Sequence, residues 1–466
     1  MKNYFFPDYR IIDDLYTDHI FDHFNDILKK KEKDKFLVSV SGGSDSVLLL
    51  YLFVKYYEKF KERIIIAHVN HHLRIDSDID ENFVSIIGKK LNIDTHISHL
   101  DPNTMSKGQS VEEWAREGRY DCLKNILIET ESDWIVTAHH ANDQAETILM
   151  NISKKTGLFG LGGMKEINDN IIRPLLPFSK DYIMNIIKQY SIPYMIDSSN
   201  SDNSHSRNFI RNNVILPWEE RDAGLIEGII HTANNFQDWQ ESMLFFVNDF
   251  IDKNSFTNKD DSITVGKKEL KKLPVSARVC VLQVLTKSIG LLRKSDYHNI
   301  TNFFNADIIG NIYHTKNDYM ILNDRKQIII KKKKLTKKNQ LELKIGKKSN
   351  FGGYDYFLKS YQKKISFSND PNDELIDLDS IKNKKLVLRF WKTGDRFKPL
   401  GMNGTQKLSD LLINNKVNLF KKDYQTVLTA DDQIIWVCGY RIDHSVRINS
   451  STKNIIRIKR DYNRVI

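Results

Sequence analysis

A short polar loop between two apolar runs constrains the fold of this chain more than any other stretch. The loop is Ser41-Gly42-Gly43-Ser44-Asp45-Ser46, with Phe36–Val40 before it and Val47–Val54 after it. The first run has the length of one strand and the second is too long for a strand, so the pattern predicts strand, loop and helix. Glycines and helix-start amides at such a turn suit an oxyanion. The loop therefore predicts a phosphate site, although its residues also suit an ordinary strand-to-helix turn.

The alternation of strand and helix continues to about residue 200. Strand-length apolar runs recur at Ile64–Val69, Thr95–Leu100 and Trp134–Thr137, and each is followed by residues at helical spacing. Ser110, with Glu113 three residues later, marks one helix start as a capping box. Repeated units of this kind predict a doubly wound α/β parallel sheet with ligand sites at the carboxyl ends of its strands.

Beyond residue 200 the alternation stops. Residues 215 to 305 have mainly helical patterns, and the region from about 385 to the end mixes short strands with a helix. We predict three domains: an α/β domain at 1–214, a mainly helical domain with a basic linker at 215–370, and a small α+β domain at 371–466. The lysine-rich stretch at 331–348 fits either a solvated loop or a phosphate-binding track.

Composition and charge narrow the class of protein. The 466 residues carry a formal net charge of +10, so an acidic partner fits, although net charge alone does not single out nucleic acid. Cys122, Cys280 and Cys438 lie far apart without metal-ligand spacing, as is typical of a reduced cytosolic protein. There is no signal pattern, and no apolar run reaches the ~18–20 residues that cross a bilayer. We therefore expect a cytoplasmic protein without a membrane partner.

Histidines and carboxylates follow two of the predicted strands. His68-Val69-Asn70-His71-His72-Leu73-Arg74 ends one strand, and Thr137-Ala138-His139-His140 follows another. Five of the chain's 14 histidines lie in these two segments, which is more than isolated surface or core histidines would explain. Asp143 and Glu146 come next and share one helical face. They suit a substrate ammonium or a second metal, and the sequence does not decide between these ligands.

These segments resemble a known family. The loop lacks the lysine of GxxxxGK[ST] and is instead similar to the SGGxDS loop of the PP-loop ATP pyrophosphatases, which cleave ATP between the α and β phosphates. His68 to Arg74 resembles the HxNHxLR segment of the tRNA(Ile)-lysidine synthetases, Ala115 to Tyr120 their AREXRY, and Thr137 to Thr147 their TAHHxxDQAET. Further similar segments follow in the family's order at Arg173–Leu176, Asp197–Asn200, Arg207–Asn212, Arg389–Phe390, Gly394–Gly401, Lys407–Asp410 and Trp436–Asp443.

The resemblance implies an ATP-dependent ligase that modifies the isoleucine tRNA with a CAU anticodon. ATP with Mg²⁺ would adenylate the C2 oxygen of the wobble cytidine and release pyrophosphate. The ε-amine of free L-lysine would then displace AMP to give lysidine, which switches decoding from AUG to AUA. The sequence leaves the oligomeric state open, with a homodimer as one option.

The resemblance and the residue chemistry together assign the nucleotide and catalytic residues. Ser41, Gly42, Gly43, Ser44 and Ser46 would hold the departing pyrophosphate, and Asp45 would hold Mg²⁺. Ala67, His68 and Asn70 would bind adenine, largely through the backbone. The expected catalytic residues are Asp45, His139, His140, Asp143 and Glu146. One of the two histidines would accept the proton of the lysine amine.

Basic residues are expected to bind the tRNA and the nucleotide phosphates, because guanidinium groups pair with phosphate and stack on bases. They are Arg74, Arg116, Arg119, Lys154, Lys155, Arg207, Arg211 and Arg396. For Arg116 and Arg119 a surface ion pair with a nearby glutamate is the competing interpretation. The family commonly has arginine where this chain has Lys154 and Lys155, so we expect these two to contact backbone phosphate rather than a base edge. Trp391 stands where the family often has a second arginine, and either stacking or packing fits it.

Three other functions compete with this interpretation. A tRNA thiolase would adenylate the same kind of oxygen and deliver sulfur. Such enzymes often use paired cysteines or an iron–sulfur cluster, and the chain has no CxxC. A non-catalytic RNA-binding protein would not need Asp45, Asp143 and Glu146 together. A small-molecule amidotransferase-type ligase would explain the loop but not the long basic C-terminal half.

Overall fold

A computed structural model of the chain shows two compact units, residues 1–244 and 245–466. The structure describes residues 6–11, 14–73, 76–106, 108–196, 206–258, 260–289, 294–333, 340–362 and 366–463. Arg74, the segment Asp197–Asn200 and residues 334–339 of the lysine-rich stretch lie outside the described residues. No helix in the described ranges is long and apolar enough to span a membrane.

Six strands form one sheet in the first unit. They are β1 Phe36–Ser39, β2 Ile64–Asn70, β3 Asp94–His99, β4 Trp134–Val136, β5 Ile167–Asn168 and β6 Ile171–Ile172. Their order is β3-β2-β1-β4-β6-β5, and every neighbouring pair is parallel except β5 with β6. The chain winds in opposite directions on either side of the β1/β4 pair, which is where doubly wound sheets bind ligands. The predicted α/β class with a doubly wound parallel sheet is confirmed.

Helices alternate with the strands of this sheet and continue after the last of them. They are α1 Asp14–Leu28, α2 Ser44–Tyr56, α3 Ser77–Leu91, α4 Val111–Glu129, α5 Ala141–Ser153, α6 Leu158–Leu161, α7 Lys180–Gln189, α8 Ser206–Ile210, α9 Leu216–Arg221 and α10 Leu225–Asn254. Short 3₁₀ segments lie at Tyr9–Ile11, Glu58–Arg63 and Pro102–Thr104, and a π-helical turn at Arg211–Ile215 joins α8 to α9. The last helix, α10, contains residues of both units.

Local sequence patterns explain the apolar stretch of α2 and the start of α4. Val47 to Val54 in α2 are all fully buried, which explains why this stretch is apolar on every side. Ser110 caps α4 as predicted, because its hydroxyl accepts a hydrogen bond from the Glu113 backbone N–H at 3.1 Å.

The second unit consists of antiparallel sheets with short helices. Its helices after α10 are α11 Lys267–Lys272, α12 Val275–Leu285, α13 Lys294–Ala306, α14 Leu408–Asn414 and α15 Leu419–Asp423. Its strands are β7 Ser255–Thr257, β8 Ile263–Gly266, β9 Ile312–His314, β10 Tyr319–Asn323, β11 Gln327–Lys332, β12 Gln340–Glu342, β13 Ser349–Phe351, β14 Tyr354–Tyr361, β15 Asp373–Asp377, β16 Leu386–Phe390, β17 Arg396–Phe397, β18 Gln406–Lys407, β19 Thr426–Ala430, β20 Gln433–Val437, β21 Arg441–Ile442 and β22 Ile455–Tyr462. Two 3₁₀ segments lie at Asp379–Ile381 and His444–Val446.

Strand pairing in the second unit crosses a predicted boundary. The sheets have the orders β7-β8-β11-β10-β9, β12-β16-β19-β20-β21, β13-β14-β22-β15 and β17-β18. Helices occupy most of the chain up to Ala306 as expected, but β12 and β14 pair with strands that follow residue 371. These sheets therefore join the two regions that we separated at 370, because sheet pairing depends on contacts distant in sequence. The division into three domains at 214 and 370 stays a prediction.

Candidate active site

The loop between β1 and α2 is held in shape by its own serines. Ser46 Oγ accepts a hydrogen bond from the Ser41 backbone N–H at 3.1 Å and donates one to the Gly43 carbonyl at 2.9 Å. Gly42 has a φ of +92°, which favours glycine. No side-chain hydrogen bond caps α2 at Gly43 in the described part of the chain, so the first amides of this 13-residue helix are available to an anion. Buried Ser46 thus braces the loop, while Ser44 and Asp45 begin α2.

Lys180 completes this loop from a distant part of the chain. Its ammonium donates to Ser44 Oγ at 2.8 Å and to Asp45 Oδ1 at 2.5 Å. It is the first residue of α7, and its backbone N–H donates to Asn142 Oδ1 at 2.9 Å, which ties α7 to the start of α5. Sequence reasoning missed Lys180, since 135 residues separate it from Asp45. The one available signal was its position shortly after Arg173–Leu176.

His140 lies between two carboxylates at the carboxyl end of β4. Its Nε2 is 3.7 Å from Asp45 Oδ2 and 3.5 Å from Asp143 Oδ2. Its backbone N–H donates to Asp143 Oδ2 at 3.1 Å, so the carboxylate also caps α5. The side chain is buried, and its Nδ1 has no hydrogen-bond partner in the described structure. The fold therefore brings Asp45, His140 and Asp143 together at the β1/β4 switch point.

His139 is held neutral beside this group. Burial lowers its pKa to about 3; Asp143 opposes that shift, while the charges of Arg119 and Arg173 reinforce it. Its Nδ1 lies 2.9 Å from Thr137 Oγ1. A neutral imidazole can accept a proton, but general bases are efficient when their pKa lies near the working pH, so the low pKa of His139 weighs against its role as the base.

Glu146 forms a buried cluster with two arginines. Arg207 Nε donates to Glu146 Oε2 at 2.7 Å, and Arg211 Nε donates to Glu146 Oε1 at 2.5 Å. The Glu146 side chain is 0% exposed. Both carboxylate oxygens are thus occupied by guanidinium groups, so in this structure Glu146 is not the open ligand for an ammonium or a metal that we expected. Arg207 and Arg211 lie 61 and 65 residues after Glu146, so no local sequence pattern predicts these ion pairs.

The Asp143 carboxylate lies beside His140 and Arg207, and 16% of its side chain stays exposed. Burial raises its pKa, but His140, Arg207 and His139 outweigh burial and hold the pKa at about 2. Arg207 Nη2 is 3.7 Å from Asp143 Oδ1. Burial also lowers the pKa of Arg207, but Asp143 and Glu146 outweigh it and raise the pKa. Asp143 is therefore ionised and Arg207 charged at neutral pH.

Two further arginines, Arg116 and Arg119, have no counter-ion among the described residues. The Arg116 and Arg119 guanidinium carbons each lie 5.6 Å from the Tyr120 ring centroid, and neither side chain forms an ion pair with any residue that the structure describes. The competing interpretation as surface ion pairs is not realised. Arg116 is exposed and Arg119 half-buried, and burial lowers the pKa of Arg119. Unpaired guanidinium groups of this kind suit an anionic ligand.

The segment expected to hold adenine uses its side chains internally. His68 Nδ1 lies 2.8 Å from the Val40 carbonyl, and Asn70 Nδ2 donates to Glu81 Oε2 at 2.8 Å. Ala67, His68 and Asn70 are all buried. What these residues can offer a ligand is therefore mainly backbone, and their contact with adenine stays a prediction.

The other predicted contacts are exposed or lie in the second unit. Lys154 and Lys155 are exposed directly after α5. Arg396 is exposed on β17, where it pairs in register with Lys407 of β18. Trp391 packs against the apolar cluster that contains Phe397, which favours its packing role.

Asp45 is the residue best suited to a metal ion. The described residues contain no group of three or more histidine, cysteine or acidic side chains that could hold one. Mg²⁺ is commonly held by one or two carboxylates together with substrate phosphates. A single half-buried carboxylate at the mouth of a phosphate loop, balanced by the Lys180 ammonium, fits that type of site.

The low pKa of His139 predicts a pH profile. We expect no acidic limb from His139 between about pH 5 and 8, because it is already neutral there. In the reaction that the family resemblance implies, the rate of amine transfer should instead rise with pH as the substrate amine, with a pKa of about 10.4, deprotonates. The test is the single-turnover rate of AMP release across this range for the wild type, His139→Gln and the exposed-residue control His19→Gln. An acidic limb with a midpoint of about 6.5 that only His139→Gln removes would contradict the low pKa of His139.

Comparisons with known proteins agree with this organisation. Residues 16–217 match the PP-loop domain family, and residues 386–459 match the TilS substrate C-terminal domain. The tRNA(Ile)-lysidine synthase of Clostridium tetani is 30% identical over 446 residues, which cover 91% of this chain and 94% of that protein. The protein of the same name from Parabacteroides distasonis is 31% identical over 433 residues, covering 90% of this chain and 94% of that protein.

Proposed function

Because this chain belongs to the tRNA(Ile)-lysidine synthase family, we propose that it joins free L-lysine to C2 of the wobble cytidine in the isoleucine tRNA with a CAU anticodon. In the first step the C2 oxygen attacks the α-phosphorus of ATP, and pyrophosphate leaves. In the second the ε-amine of lysine bonds to C2, and AMP leaves with the former C2 oxygen. The amine proton passes to a base, so the products are lysidine, AMP and pyrophosphate.

The convergence of Asp45, His140 and Lys180 at the β1/β4 switch point is the observation that carries this proposal. The amides at the start of α2 and the Ser44 hydroxyl offer donors to the β and γ phosphates. Lys180 adds a charge there, since its ammonium already contacts both Ser44 and Asp45. These groups would stabilise the charge that develops on the departing pyrophosphate. Asp45 would hold the Mg²⁺ that supplies further neutralisation of the phosphates.

The lysine amine would be oriented and deprotonated by residues that adjoin Asp45, His140 and Lys180. Ionised Asp143 suits a substrate ammonium, and Glu146 keeps Arg207 and Arg211 in place beside it. His139 or His140 would accept the proton, because both lie next to Asp143, and the low pKa of His139 favours His140 of the two. Glu146 is in this scheme a positioning residue rather than a ligand.

Basic side chains would hold the tRNA. Arg116 and Arg119 carry no counter-ion in the described structure, so they are free to pair with phosphate or stack on the extruded cytidine. Lys154 and Lys155 would contact backbone phosphate. Arg396 would contribute in the C-terminal unit.

The direct test of this function is an assay with ATP, L-lysine and a transcript of the CAU-anticodon tRNA. We expect pyrophosphate release, AMP release and lysine in the tRNA in equal amounts. A transcript in which the wobble cytidine is replaced by uridine is the matched control and should accept no lysine. Absence of lysine transfer, or sulfur transfer in its place, would contradict the proposal.

Replacement of Lys180 should weaken the phosphate site. We expect Lys180→Met to raise the KM for ATP about tenfold and to slow pyrophosphate release by on the order of 10²-fold, because a charge on the departing group is lost. Lys180→Arg should retain part of the affinity for ATP and part of the rate of pyrophosphate release. The exposed Lys188, also in α7, provides the control Lys188→Met. Wild-type kinetics for Lys180→Met would show that its ammonium merely balances Asp45.

A further inference from the structure

The second unit contains a cavity that the proposed reaction does not use. Its volume is about 360 Å³, and its lining includes Ser368, Asp370, Glu374, Leu400, Tyr440 and Arg441. The volume falls within the range of ligand pockets. Leu400, Tyr440 and Arg441 belong to residues 386–459, which match the substrate C-terminal domain.

Hydrogen bonds build both walls of this cavity. On one side Asp370 accepts from the backbone N–H of Asn372 at 2.9 Å and from its side-chain amide at 2.8 Å. On the other side the Leu400 backbone N–H donates to the Ile442 carbonyl at 3.1 Å. Half-buried Tyr440 packs against the apolar cluster around Phe397. The cavity is therefore a formed feature of the unit.

Glu374 is the acid of this cavity that has no partner in the described part of the chain. Its neighbour Asp373 is paired with Arg457, whose Nε donates to Asp373 Oδ1 at 2.6 Å. No hydrogen-bond or ion-pair partner of Glu374 is found among the residues that the structure describes. Burial, together with Asp373 and Asp370, raises the pKa of Glu374 to about 7. The other charged or titratable groups around it are Tyr440 and Arg441 in the cavity lining and Arg457 and Lys459 on the paired strand β22.

These groups match the parts of an unpaired nucleotide. A carboxyl group accepts a hydrogen bond in either protonation state, and the exocyclic amino groups of adenine, cytosine and guanine donate one. An ionised carboxylate can only accept, so above the pKa of Glu374 uracil, which presents a carbonyl oxygen at the corresponding edge, would be rejected. Aromatic rings such as Tyr440 stack on bases. Exposed Arg441, which has no ion pair in the described residues, suits the phosphate.

We propose that this cavity binds one unpaired nucleotide of the RNA substrate, with the exocyclic amino group of its base donating to Glu374, its ring against Tyr440 and its phosphate near Arg441. This inference rests on the proposed function in one respect, namely that the substrate is RNA. It adds a specificity-determining contact that lies in the second unit and takes no part in the chemistry.

The test measures binding of labelled RNA hexanucleotides to the full-length chain. At about pH 8.5, where Glu374 is ionised, we expect the wild type to bind oligo(A) and oligo(C) about tenfold more tightly than oligo(U), because one buried hydrogen bond is lost with uracil. Glu374→Gln should bind all three alike, since its amide can donate to the uracil oxygen as well as accept from an amine. Tyr440→Ala should weaken binding of all three about tenfold through lost stacking.

Glu342→Gln is the matched control, because Glu342 is a glutamate on strand β12 of the same unit that pairs with Lys385 outside the cavity. It should keep the preference over oligo(U). An equal preference in the wild type and in Glu374→Gln would overturn the inference, as would no preference in the wild type. Thermal denaturation of each variant shows whether it is folded. Lysine transfer by the wild type is scored separately: its failure would count against the proposed function, whereas a missing base preference alongside normal lysine transfer would count only against the cavity.

Discussion

Asp45→Asn is expected to slow pyrophosphate release by on the order of 10³-fold. The substitution keeps the size of the side chain but removes the charge that we assign to Mg²⁺ and that now pairs with Lys180 at 2.5 Å. Loss of one preorganised electrostatic contact to a departing group has effects of about this size. Because Asp45 is half-buried and its hydrogen-bonded loop is braced by Ser46, the fold should be retained. Rapid-quench measurement of pyrophosphate with saturating ATP gives the rate.

Asp94→Asn provides the control, since Asp94 is an exposed aspartate on β3 of the same sheet. It should release pyrophosphate at the wild-type rate. Raising the Mg²⁺ concentration should restore part of the activity of Asp45→Asn if the lost contact is to the metal. Activity of Asp45→Asn within tenfold of the wild type at low Mg²⁺ would remove Asp45 from the metal site.

Glu146→Leu is expected to destabilise the first unit by about 3–5 kcal/mol. Removing one partner of a buried ion pair leaves an uncompensated buried charge, and here two guanidinium groups, Arg207 and Arg211, would lose the same carboxylate. The urea dependence of hydrogen exchange at the amides of α5 measures the free energy of opening locally, so unfolding of the second unit does not enter.

The control for this stability change is Glu166→Gln. Glu166 pairs with His23 at 3.2 Å but is partly exposed, so its loss should lower stability by no more than about 1 kcal/mol. The double variant Glu146→Leu with Arg207→Leu should recover part of the lost stability, because one of the two unpaired charges is removed. If Glu146→Leu were as stable as the control, Glu146 would not be the anchor of the two arginines.

Sequence patterns predicted the elements around the site because their causes are local. The strand, loop and helix from Phe36 onwards follow from an apolar run, glycines and a second apolar run. The Ser110 cap likewise depends on residues three apart. The convergence of Asp45 and His140 was expected from the carboxyl ends of two strands, and the parallel pairing of β1 with β4 brings them together.

The sequence by itself thus determined the α/β class, the phosphate loop and the residues at the strand ends, since each depends on neighbours along the chain. Only the tertiary structure placed Lys180 on Asp45, engaged Glu146 with two arginines and formed the cavity around Glu374. The physical reason is that ion pairs and cavities depend on distances between residues far apart in sequence, and on burial that decides which charges remain unpaired. The polar loop that most constrained the fold is therefore completed by a lysine that its own sequence lacks.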